Sequence, residues 1–63
     1  MKQKDLIKKL NDHGVQFIRA GGEHDIYGKI GADGNMISTS VPRHREINEI
    51  TAKRILKHFD ITE

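Results

Sequence analysis

One turn signal constrains the middle of this chain more than any other feature. Asp33-Gly34-Asn35 has the composition of a turn that needs positive φ, and extended, β-prone residues flank it on both sides. His24 to Ile30 reads as the strand before it. Met36 to Val41 reads as the strand after it, with Ile37, Thr39 and Val41 on one face. Pro42 ends that strand, because proline has no N–H to give to a ladder. A turn centred near Asp33 sets position 24 opposite about position 42, so His24 and the Arg43-His44 pair come together from distant parts of the sequence.

The remaining elements follow from periodicity. Residues 3 to 13 predict an amphipathic helix with Leu6, Ile7 and Leu10 on one face, stopped by Gly14. Val15 to Arg19 predicts a short strand, and Gly21-Gly22 a tight turn into the next. Thr51, Ala52, Ile55, Leu56 and Phe59 share one stripe at helical spacing, with Ile50 off it. The last helix therefore starts near Asn48 to Thr51, with Asn48 or Thr51 as N-cap, and Ile47 anchors the extended segment before it. The predicted order is α-β-β-β-α. A three-stranded antiparallel meander with one face covered by two helices is a two-layer α+β sandwich, similar to a double-stranded-RNA-binding domain.

A chain of 63 residues makes one small domain, spanning residues 1–63, without linker or repeat. Such a domain buries only roughly 60% of its unfolded surface, so a functional site is a shallow surface or groove. The chain has no cysteine, which excludes a disulfide framework and a thiolate metal site. The four histidines are scattered, with no two at metal-binding helical spacing, so no metal is expected. The start of the chain has no signal-peptide pattern, and no segment approaches the roughly 18 apolar residues of a membrane span. A soluble cytoplasmic protein is expected. The net charge of +2 permits a nucleic-acid partner without predicting one.

Histidine beside cationic side chains is chemistry suited to a phosphodiester. Its ordinary pKa near 6.5 lets it accept or donate a proton near neutral pH. His24 is the candidate catalytic group, and the Gly22 turn before it lets a phosphate backbone approach. His44, Arg19 and Arg43 are candidate assistants; Lys29 and Arg45 are the other nearby cations. Lys4 and Lys8, with Lys2 and Lys9, form a basic face on the first helix that suits RNA phosphates as well as plain solvation. Tyr27 suits stacking on a base or a place in the core. His13 and His58 fall at helix C-termini, where the dipole favours a cation and a structural role suffices.

Gly14, Arg19, Gly22-x-His24-x-x-Tyr27, Val41-Pro42-x-His44 and a final helix bearing Ile55-Leu56 follow one another in an order and spacing that resembles the HicA toxin family. These are small bacterial messenger-RNA interferases of type II toxin–antitoxin systems. The resemblance covers nearly the whole chain. It implies a double-stranded-RNA-binding-like fold, metal- and cofactor-independent cleavage of mRNA, and neutralisation by a HicB antitoxin that covers the active face. The family's catalytic histidine falls on His24, and its Pro-x-His histidine on His44. Two positions depart from the pattern. Glu23 stands where a small polar residue is usual, and Val15 where an aromatic is common. Glu23 is the substitution with chemical consequences, since a carboxylate there repels an approaching phosphate. It keeps open a non-catalytic RNA-binding module of the same fold, and a protein-partner domain is the other alternative.

Overall fold

The computed structural model describes residues 1–62. The chain forms α1 (Gln3–Asp12), β1 (Gln16–Gly21), β2 (His24–Ile30), β3 (Met36–Pro42) and α2 (Glu49–His58), in the predicted order. The three strands make one antiparallel sheet in the order β1-β2-β3. It is an open sheet packed with two helices, an α+β fold.

The two helices end in the same way. After α1, the Val15 N–H reaches back to the Leu10 carbonyl and the Gly14 N–H to that of Asn11. After α2, Ile61 bonds to Leu56 and Asp60 to Lys57. Both are Schellman closures, with Gly14 (φ +84°) and Asp60 (φ +59°) as the left-handed residues. The apolar residue after each, Val15 or Ile61, is buried with the leucine it bonds to. This explains why β1 starts at Gln16 rather than Val15: the Val15 N–H serves the helix, not the ladder. At the other end of α2, the Asn48 side chain accepts from the Ile50 N–H at 2.7 Å and is the N-cap. Thr51 is inside the helix.

The turn between β1 and β2 is also displaced from its predicted place. β1 continues to Gly21, which pairs with His24, so the loop is Gly22-Glu23. Gly22 has φ +65° and Glu23 a negative φ, the pattern of a type II′ hairpin turn. The β2–β3 register is the predicted one: His24 pairs with Pro42, Tyr27 with Thr39, and Ile30 with Met36.

That register sorts the side chains. Tyr27 and Val41 are buried on the inner face, and Ile37 packs against the same core. They meet Leu6 and Leu10 of α1, Ile47, Ala52, Ile55 and Leu56 of α2, and Phe59 just after it. The outer face carries His24 at one end and an apolar strip of Ile18, Ile30 and Met36 at the other, all exposed. Ile18 and Met36 close over Gly28, where a Cβ would lie 2.6 Å from Ile18 Cδ1 and 2.8 Å from the Ile37 carbonyl oxygen. No side chain fits at Gly28 without moving backbone.

Candidate functional site: a histidine at the mouth of a cationic groove

His24 owes its position to the short hairpin. A two-residue turn makes it the first residue of β2, and even-numbered residues of β2 face away from the helices, so its ring is exposed. Its neighbour across the strand pair is Pro42. Beyond Pro42 the chain stays close: the Arg43 N–H donates to the Glu23 carbonyl at 3.4 Å, and the Gln3 side chain donates to the Pro42 carbonyl at 3.1 Å.

The predicted assistants separate in the structure. Arg19 lies near the site: its Nη1 is 3.7 Å from where a Cβ of Gly21 would sit, and Gly21 pairs with His24. Arg43 sends both Nε and Nη2 to one oxygen of Asp25, each at 2.8 Å. Its charge is therefore partnered beside the site rather than held free for a phosphate. His44 is exposed on the segment after β3 and lines neither of the clefts described below.

The predicted RNA-contacting residues also divide. Lys4 and Arg45 line a shallow cleft with Lys2, Gln3 and Glu46, between the start of α1 and the segment after β3. Lys8 instead pairs with Asp12 one turn on, at 3.3 Å. Gly22 is exposed at the hairpin tip. Tyr27 takes the core place and not the stacking one: it is 7% exposed, and the Phe17 ring meets it edge-on at 5.8 Å. A ring so enclosed has no free face for a base. Burial, with the Asp25 carboxylate nearby, raises the Tyr27 phenol above its ordinary pKa.

His24 lines a second cleft that sequence reasoning missed. This groove, about 500 Å³, runs along the free edge of β3 under α2. Its wall on the strand side includes Thr39 and Ser40, and its wall on the helix side Thr51, Arg54 and His58. The signal was present: 51, 54, 55 and 58 recur at helical spacing, so Arg54 and His58 lie on the same face as Thr51 and Ile55. His58, assigned a structural place at a helix end, has one: its Nε2 donates to the Ser38 carbonyl at 2.8 Å, tying α2 to the strand edge. His13 likewise bonds through Nδ1 to the Lys9 carbonyl at 2.9 Å. Among the described residues no group of three His, Cys, Asp or Glu side chains is placed to hold a metal ion. Among the described residues no helix is long and apolar enough to cross a membrane.

The fold is that of a small α+β protein with an exposed histidine lining a surface groove. Residues 4–61 match the family described as HicA toxin of bacterial toxin–antitoxin, and the chain belongs to that family. Membership implies an antitoxin partner. No curated protein and no solved structure matches the chain.

Proposed function

We propose that this protein is a toxin that cleaves messenger RNA, with His24 as general acid or base, and that a HicB-like antitoxin silences it by covering the His24 face. The reading takes residues 1–63 as a single toxin domain of double-stranded-RNA-binding-like kind, working in the cytoplasm and blocking translation and growth under stress. One observation supports it: in a chain of the HicA family, His24 stands exposed and lines a groove with one cationic wall.

The chemistry balances without a metal. The ribose 2′-oxygen attacks the adjacent phosphorus as a base takes its proton. The P–O5′ bond breaks, and an acid protonates the departing 5′-oxygen. The products are a 2′,3′-cyclic phosphate and a 5′-hydroxyl. His24 fills one of the two proton-transfer roles, with His44 the candidate for the other. Such transfer contributes about 10²- to 10⁴-fold. Arg19, close to the His24 end of the hairpin, suits the charge that grows on the phosphate.

The test is incubation of the purified protein with labelled RNA in EDTA, beside His24→Ala. Cleavage that falls at least about 100-fold in the variant supports the proposal. RNA retained but not cut by the native protein favours a non-catalytic module instead, and neither behaviour favours a partner domain.

A further inference from the structure

We infer that the groove between α2 and the β3 edge is the track of a single RNA strand, with Arg54 and Lys57 holding its phosphates next to His24. This rests on the proposed ribonuclease reading and adds to it the path and the form of the substrate.

The ends of the groove are fixed by two histidines. His24 stands across from Pro42, and His58 is bonded to Ser38, four residues back along β3. At about 3.3 Å per residue the track is roughly 13 Å long. Thr51, Arg54 and His58 follow one another at helical spacing along the α2 wall, so Arg54 sits between the other two.

The charges of this wall are available. Neither Arg54 nor Lys57 makes a salt bridge among the described residues, whereas Lys8 and Arg43 are each paired with an aspartate. Among the described residues the groove lining contains no carboxylate. Opposite the cations stand the Ser40 and Thr39 hydroxyls, suited to sugar and phosphate oxygens. Tyr27 is buried, and the His58 ring is held by its carbonyl bond and by the edge of Phe59 at 5.4 Å. The groove therefore offers charge and hydroxyls but no aromatic platform. It grips the backbone of one strand and is tolerant of base identity. An A-form duplex presents a wide, shallow minor groove, which suits a flat surface and not a cleft under one helix.

The experiment measures binding of labelled single-stranded RNA over a salt series in the cleavage-silenced His24→Ala protein, alone and with Arg54→Ala/Lys57→Ala or Lys4→Ala/Lys8→Ala added. Circular dichroism confirms folding, and the charge-reversed Arg54→Glu/Lys57→Glu pair provides a second variant of the same wall. The inference predicts roughly tenfold weaker binding for the α2 pair, with the log–log salt slope lower by about 1.4. It also predicts a smaller loss for the α1 pair, and weaker binding of duplex than of single-stranded RNA. Unchanged binding in the α2 variants, while native protein still cleaves and His24→Ala does not, overturns the track and leaves the ribonuclease reading standing. Native protein that neither binds nor cuts RNA overturns both.

Discussion

At the residue scale, Glu23 is the departure from the expected pattern that lies beside His24. It is exposed at the tip of the β1–β2 hairpin, directly before His24. A carboxylate there opposes a polyanion arriving at the site, and a surface charge interaction of this kind is worth about 0.5–1 kcal/mol. Glu23→Ser is therefore predicted to raise the rate of RNA cleavage two- to fivefold, by the roughly 0.5–1 kcal/mol just given, with the gain shrinking as salt is added. An unchanged or lower rate contradicts a phosphate passing this point. His24 and its pairing with Pro42 were legible in advance, because turn composition sets register and register sets neighbours. Arg43 was legible only as a cation near the site. That its guanidinium is committed to Asp25 depends on side-chain reach across the strand pair, which spacing does not encode.

At the element scale, the turns and caps explain both what the residues foretold and where they misled. The β2–β3 turn has an internal brace: Asp33 accepts from the Asn35 N–H at 3.0 Å and from its side-chain amide at 3.1 Å. These bonds, the backbone one first, hold the Asp33 carboxyl below its usual range. A lowered folded-state pKa means that the stabilisation is present above the unfolded value, near 3.9, and fades as pH falls through the folded one. An NMR titration is predicted to show Asp33 ionising below that value, and the stability advantage over Asp33→Asn to vanish at the acid end. Titration at the ordinary value contradicts the brace.

The Schellman closure after α2 carries a second element-scale prediction. Asp60 occupies a left-handed conformation that L-residues adopt at a cost. Asp60→Gly should raise stability to urea by about 0.5–1 kcal/mol; a loss would contradict strain at that position. Gly14 was visible as a helix stop because glycine announces this geometry. Asp60 was not, because aspartate occurs in many other contexts. The shift of the first turn from Gly21-Gly22 to Gly22-Glu23 has a similar cause. Two adjacent glycines both permit positive φ, and only strand pairing decides which one turns.

At the scale of the whole molecule, the groove that forms the proposed site exists because two faces meet. The core lies between the inner sheet face and the helices, and it brings α2 alongside the free edge of β3. The groove is a by-product of that packing, and so it was the least legible part of the molecule. The apolar stripe that fastens α2 is legible from its spacing, but the residues beside it gain meaning only once the strand they face is known. The basic face of α1, prominent in the sequence, turns out to be partly neutralised by Asp12.

The most direct measurement is the chemistry of the RNA ends left by native protein in EDTA, read by mass spectrometry beside His24→Ala. The account predicts 2′,3′-cyclic or 3′-phosphate ends paired with 5′-hydroxyls, no cleavage of DNA of the same sequence, and no products from the folded variant. Ends bearing 3′-hydroxyls, or undiminished cutting without the His24 imidazole, would contradict it.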